Sequence, residues 1–424
     1  MSALQDRPPV EPDVLIEEAR ERQRRRHRLI LSTLVALAAG ALVYGLTTGD
    51  GPPVKPRPTG GGGAPAGATV ASWRNLTAPG GYIQAGAQVT SVIRWHGELI
   101  AAGDLFSPGR IPKGIGCTIA CNPIVWVDRD GRWRAVWGHS PSGSDPGAAL
   151  VAVGNQLLLF NSDMSTALWR SANAIDWTAV RIPKAMSWNW TSGIASNGRR
   201  VVVSFFNRYI GAHSLFGGLN PVFSSTDGAR WVQGGPVDGF GFDDIAAVPG
   251  GFVALGASTR ARRFALLRSA NGRSWSVVSP LSMPRNGNEL LAASGRGLVL
   301  ERTVSYTRRS ARAEFMWSSN GLVWTAANVV GGPLTNRLFE GPTPETLAAV
   351  RGGFVALGNT NRYVWWSADG RVWRRTTVPG GPPATFQPWA TSIDGNSLLV
   401  VEMPRRASDG VPRGATTIWQ LRLP

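Results

Sequence analysis

Arginine clusters and one pair of acids are the side chains of this sequence with chemistry to offer. Arg208, Arg260, Arg262, Arg263, Arg308, Arg309 and Arg312 fall in the variable stretches "NRYIGAHS", "STRARRF" and "TVSYTRRSARA". Guanidinium forks bind carboxylate, sulfate or phosphate groups bidentately. Trp188 and Trp190 in "AMSWNWTSG" and Trp389 in "TFQPWA" supply aromatic faces. Aromatic faces beside Arg forks suit an acidic glycan or a protein partner. The bland alternative is a solvated basic rim. Asp243 and Asp244 stand side by side and could bind a cation or protonate a glycan; the competing explanation is an exposed loop pair that caps the start of a strand.

Most enzyme classes are excluded. There is no G-x-S-x-G elbow, no H-E-x-x-H and no phosphate-binding glycine loop ahead of a helix. His96, His139 and His213 are isolated and read as surface or turn residues rather than ligands. Two cysteines are too few for a disulfide framework or a four-ligand metal site, so neither metal nor cofactor is expected. Cys117 and Cys121 share one loop, and outside the cytoplasm they can close a small local disulfide.

The elements that must position these residues are repeats. The sequence holds 52 Gly, 30 Pro and 18 Trp, which favours many short strands and turns over helices. "DIAAVPGGFVALGASTRARRFALLRSANGRSW" at 244 and "TLAAVRGGFVALGNTNRYVWWSADGRVW" at 346 run strand, Gly turn, strand, variable loop, strand, polar box, strand. Looser copies begin near "TSVIRWHGELIAAG", "LVAVGNQLLLF", "GIASNGRRVVVSFF", "LLAASGRGLVLE" and "TSIDGNSLLVVE", which brings the total to seven. Four short antiparallel strands at a period of about 40–50 residues predict an all-β, seven-bladed β-propeller. The seventh copy lacks its outer strand. "TVASWRNL", with Trp73, is the spare strand expected to complete it and close the ring.

The box lies between the third and fourth strands of a copy, where it forms a hairpin turn. Its acceptor is Asp130, Asp227 or Asp369 in three copies and Asn173, Asn271 or Asn320 in the others. An amide replaces the acid freely, so the position serves backbone N–H groups and not proton transfer. The first box, "VDRDGRW", is one residue short. These residues resemble the Asp-box, or BNR repeat, S-x-D-x-G-x-x-W, which "SADGRVW" at 367–373 matches fully. The resemblance covers the turns of six copies. It implies a scaffold shared by sialidases, some endoglucanases, sortilin-type receptors and photosystem assembly factors, and not an activity. Sialidases of this superfamily carry an R-I-P triplet in an early strand and a Tyr–Glu nucleophile pair. Arg110-Ile111-Pro112 stands instead in a loop, and neither Tyr82 nor Tyr209 has a Glu near it in sequence. A sialidase-like hydrolase is therefore the alternative to a non-enzymatic binder.

The N-terminal part reads separately. Residues 29–48, "LILSTLVALAAGALVYGLTT", carry no charge and follow "RQRRRHR". About 20 apolar residues cross a bilayer, and the basic cluster keeps 1–28 in the cytoplasm. The expected order is a cytoplasmic tail (1–28), a single-pass signal anchor (29–48), a Pro- and Gly-rich tether (49–68) and an extracytoplasmic propeller (69–424). The tail has seven Arg against six acids, so all but one unit of the net charge of +17 lies beyond it. The expected partners are the membrane and a protein or anionic envelope polymer. Nucleic acid is not an expected partner for a domain outside the membrane, whatever its charge.

Overall fold

The computed structural model describes residues 71–423 except for 78–82, 84–85, 106–120, 140–147, 162–167, 187–188, 208–220, 236, 238, 259–262, 282–289, 307–309, 331–333, 338–343, 359–363, 377, 379–381, 383–387 and 403–414. The predicted anchor and tether lie outside the described residues. No helix among the described residues is long and apolar enough to cross a membrane.

Among the described residues thirty strands form seven sheets. Blade 1 holds β2 (Ala87–Trp95), β3 (Glu98–Leu105), β4 (Cys121–Arg129) and β5 (Arg132–Gly138). Blade 2 holds β6 (Ala148–Val153), β7 (Gln156–Asn161), β8 (Leu168–Ser171) and β9 (Thr178–Val180). In blade 3 these are β10 (Asn189–Ser196), β11 (Val201–Asn207), β12 (Val222–Ser225) and β13 (Val232–Gln233). Blade 4 follows with β14 (Phe240–Val248), β15 (Gly251–Ser258), β16 (Arg263–Ser269) and β17 (Ser276–Leu281). Blade 5 has β18 (Leu290–Ser294), β19 (Gly297–Tyr306), β20 (Ser310–Ser318) and β21 (Thr325–Ala326). Blade 6 has β24 (Pro344–Val350), β25 (Gly353–Gly358), β26 (Val364–Ser367) and β27 (Val372–Thr376). Blade 7 has β28 (Pro388–Asp394), β29 (Ser397–Glu402) and β30 (Ile418–Arg422). Its fourth strand is β1 (Ser72–Asn75), which pairs antiparallel with β30 from Ser72↔Arg422 to Asn75↔Trp419. The two ends of the ring thus share one sheet and cover the edge it would otherwise expose.

The innermost strands β2, β6, β10, β14, β18, β24 and β28 neighbour one another around the ring, and β28 returns to β2. They are apolar on both faces because they are sandwiched between blades, so the core runs from blade to blade rather than filling one central layer. Polar bonds lace the seams. Thr90 Oγ1 donates to Ala148 O at 2.6 Å and accepts from Ala148 N at 2.8 Å, and Ser91 Oγ accepts from Leu150 N at 3.0 Å. Ser196 Oγ donates to Ala152 O at 2.6 Å. Arg94 Nε donates to Asp394 Oδ2 at 2.8 Å and Thr416 Oγ1 to Ala87 O at 3.0 Å, joining blade 7 to blade 1.

Blades 5 and 6 depart from the predicted four strands. In the connection between them, β22 (Asn328–Val330) lies parallel to β27 as a fifth strand of blade 6. Then β23 (Leu334–Arg337) returns to pair with β20 at Ser310–Ala313.

Candidate functional site

The antiparallel order gives the ring two unlike faces. The connections from first to second strand and from third to fourth strand reach one of them, here called the turn face. The connections from second to third strand, 106–120, 162–167, 208–221, 259–262, 307–309, 359–363 and 403–417, start and end at the opposite side. That side is here called the loop face; Arg263 opens the strand after one of these connections and Arg312 lies two residues inside another, while the other arginines of the variable stretches lie outside the described residues.

On the turn face most connections are short and internally bonded. His96–Gly97 and Asp130–Gly131 each have positive φ at both residues, 50° and 86°, then 55° and 76°, the geometry of a type I′ hairpin. The turn at Asp130 is therefore a two-residue hairpin, which accounts for the short first box. The five longer turns share another design. Asp227 Oδ1 accepts from Ala229 N and Arg230 N at 2.9 Å each, and Asn271 Oδ1 does the same for Arg273 N and Ser274 N. Asn173 holds Ile175 N and Asp176 N, Asp369 holds Arg371 N and Val372 N, and Asn320 holds Leu322 N. The serine two residues earlier binds the N–H of the glycine in four of them, at 2.8 Å. The tryptophan indole of all five donates back to the carbonyl at the glycine position, at 2.9–3.2 Å.

These turns also couple blades. The Cα of Gly228 faces Leu158 of blade 2 so closely that a Cβ would come within 2.2 Å of it, and Gly321 faces Leu266 of blade 4 at the same distance. Gly370 abuts Trp317, and Trp373 stacks on Phe315 of blade 5 with centroids 4.0 Å apart. Burial pushes the carboxyl groups of Asp227 and Asp369 upward, but backbone N–H donors and the serine hydroxyls outweigh it. Both are held below the ordinary carboxylate range.

The loop-face candidates divide into those the described residues include and those they do not. Cys117, Trp188, Arg208, Arg260, Arg262, Arg308 and Arg309 lie outside the described residues. Cys121 opens β4, Arg263 opens β16 and Arg312 lies inside β20, opposite Ser305 and Thr335. Trp190 lies in β10 opposite Phe206, and Trp389 lies in β28. The sequence places all five in loops. The strands run further because pairing extends to Leu105↔Cys121, Ser258↔Arg263, Asn189↔Asn207 and Pro388↔Glu402, and in blade 5 β23 lengthens the sheet again.

Asp243 and Asp244 are not a loop pair either: both are within β14, where the register slips between Phe242 and Asp244. Asp244 is buried, and its Oδ2 accepts from Leu291 N of blade 5 at 3.1 Å. It does for that seam what Ser91 does for the first, since Leu291 and Leu150 hold the same place in their strands. The same slip occurs at Thr90, Ser192, Glu345 and Trp389, so five innermost strands carry an extra residue at one level of the ring. A β-bulge re-aims the strand locally and is common beside binding sites. Sequence reasoning missed Thr90, Ser192 and Glu345, because one inserted residue leaves no mark in an apolar run. Among the described residues no group of His, Cys, Asp and Glu is arranged to hold a metal ion. Among the described residues the other buried acids are Asp104 and Glu301, both in second strands.

Comparison with known proteins gives the class. No family model matches the chain, and no curated protein matches it. Solved structures do. A catalytically inactive virginiamycin B lyase from Staphylococcus aureus with quinupristin aligns with a TM-score of 0.52 at 10% identity, over 84% of this chain and 100% of the other. An α-L-arabinanase from Penicillium chrysogenum complexed with arabinobiose gives 0.42 at 12% identity, over 82% of this chain and 92% of the other. BamB from Moraxella catarrhalis gives 0.39 at 11% identity, over 78% and 81%. At such identities the likeness is one of fold. The chain is a seven-bladed β-propeller.

Proposed function

We propose that this protein is a membrane-anchored, extracytoplasmic propeller that binds an anionic envelope polymer or glycan, or an acidic protein, on its loop face without catalysis. The observation that carries this reading is the division of the two faces. The turn face is spent on short bonded hairpins that fix the blades, while the strands flanking the second-to-third-strand connections end on the other side, and the sequence of those connections is rich in arginine. Rigid scaffolds commonly bind through such connections. Asp244, one of the two acids best placed by sequence for proton transfer, is committed to an inter-blade bond. Residues 29–48 supply the anchor, and the Ser-x-Asp/Asn-Gly turns support membership of the Asp-box superfamily.

The test is retention of the detergent-solubilised full chain on an immobilised polyuronate, with neutral dextran as the control. Retention on the first only, with elution moved to lower salt by Arg262→Glu, Arg309→Glu and Arg312→Glu, is the expected result. Equal behaviour on both matrices, or release of reducing sugar from either an anionic glycan or a sialoside, refutes it.

A further inference from the structure

The predicted tether reaches the ring on the turn face. Ser72 pairs with Arg422, Arg422 pairs with Ser397, and Ser397 directly follows the 395–396 turn. A stretch as long as 49–68, with an extended Pro-rich half and a flexible Gly-rich half, spans on average roughly 35 Å. If 29–48 is the anchor proposed above, this face is the one held next to the bilayer.

The turn face is uneven in a way its internal bonding does not require. Leu322 and Val323 are 58% and 69% exposed, the highest values among the large apolar residues described. The equivalent positions elsewhere are Ile175–Asp176, Ala229–Arg230, Arg273–Ser274 and Arg371–Val372. Asn320 fixes Leu322 N at 2.9 Å, so a braced turn holds the apolar pair outward. Arg273 and Arg371 are exposed in the matching turns of the flanking blades 4 and 6, the latter with its guanidinium 4.0 Å over the Trp317 ring of blade 5, and Arg351 and Arg199 are exposed in the inner turns of blades 6 and 3. Of the acids in those turns, Asp227 is paired with Arg230 at 3.2 Å and Asp369 is engaged by backbone N–H groups. Arg200 has its pKa lowered by burial and by the charge of Arg273, a sign that like charges crowd this sector. Blades 1 and 2 differ: their turns expose Asp130, set between exposed Arg129 and Arg132, and Asp176, which accepts from Asn173 Nδ2 at 2.7 Å.

We infer that the turn face of blades 3 to 6 rests on an anionic lipid surface, with Leu322 and Val323 entering the headgroup layer and the four arginines against its phosphates. The inference rests on the anchor reading of 29–48. Apolar side chains ringed by basic ones are the combination that binds such an interface. The turns of blades 1 and 2 present no exposed apolar pair and carry acids among their charges, so the ring rests on blades 3 to 6 and leaves the loop face turned away from the membrane.

The experiment uses the full chain in nanodiscs of phosphatidylcholine, with or without phosphatidylglycerol. An environment-sensitive dye is attached at Leu322→Cys or, as reference, at Ala172→Cys in the turn of blade 2; the unsubstituted chain, treated alike, corrects for dye on its own cysteines. Nitroxide lipids should quench the Leu322 dye at least about twofold more than the Ala172 dye, and only in the anionic discs. Arg273→Glu and Arg351→Glu, in chains whose melts match the parent, should cut the docked fraction by ~5-fold each at low salt. Equal quenching at the two sites, or none, overturns the docking. Alkaline carbonate extraction of native membranes reads the anchor separately. Retained chain with an unquenched Leu322 dye overturns the docking alone, whereas released chain overturns anchor and docking together.

Discussion

Blade 2 closes its outer hairpin with Ser171, Asn173, Ala174 and Trp177; blade 3 uses Ser225, Asp227, Gly228 and Trp231. The two turns bond alike. In each, one side-chain oxygen accepts two backbone N–H groups and the indole donates to the carbonyl three residues back. They differ in charge at the acceptor and in the residue at positive φ, which is 62° at Ala174 and 69° at Gly228. The turn therefore requires an oxygen and a left-handed backbone, and it requires neither an anion nor a glycine. Which residue fills the left-handed position depends on the neighbouring blade: at Gly228 there is no room for a methyl group beside Leu158.

Substitutions can break this comparison at graded cost. Trp373→Ala should be the largest, because that indole is fully buried and stacked on Phe315; about 3–5 kcal/mol in urea denaturation is expected, against less for the partly exposed Trp231→Ala. Gly228→Ala should cost about 2–4 kcal/mol, the sum of overpacking against Leu158 and left-handed strain. A value near zero would show that Leu158 gives way freely. Asp227→Ala should cost about 1–2 kcal/mol by stranding two N–H groups, whereas Asp227→Asn, which keeps the acceptor and loses only the charge, should cost less than the alanine variant at pH 7.

Acidification sharpens the distinction between acid and amide. The folded-state pKa values of Asp227 and Asp369 lie below the unfolded value, so their contribution is complete above that value and is lost as pH falls from about 4 through the folded pKa. Melting profiles of Asp227→Asn should therefore lose part of the acid-side fall that the parent shows; identical profiles would contradict the assigned role. The smallest effect is Ala174→Gly, which relieves the left-handed alanine and should gain up to about 1 kcal/mol, read as a slightly raised Tm.

The turns and the sheets were legible in the sequence for one reason: period-two apolar runs punctuated by Gly turns recur, and recurrence averages out local ambiguity. The closing strand was legible because blade 7 came up one strand short while "TVASWRNL" had no partner. Other features left no such trace. The five bulges arise from a single extra residue inside runs such as "FGFDDIAAV", and the alternation on either side looks the same. Strands β22 and β23 are three and four residues long in a polar connection, below the length at which a pattern exists. Asp244 looked like a loop acid because Asp243 precedes it; its burial depends on Leu291, 47 residues away. Cys117 and most of the loop-face arginines fall outside the described residues.

Closing the ring with β1 has a consequence in time. The N–H of Ile418 bonds Thr77, 341 residues earlier in the chain. At ~5–20 residues per second, the first strand leaves the ribosome roughly 20–70 s before its partner exists. Throughout that interval "SWRN" carries a tryptophan and unpaired backbone groups with nothing to receive them. A chain that must be exported, as a propeller behind an N-terminal anchor would be, meets this delay on the far side of the membrane. Its correct assembly then depends on keeping the first strand out of other pairings until the last one arrives.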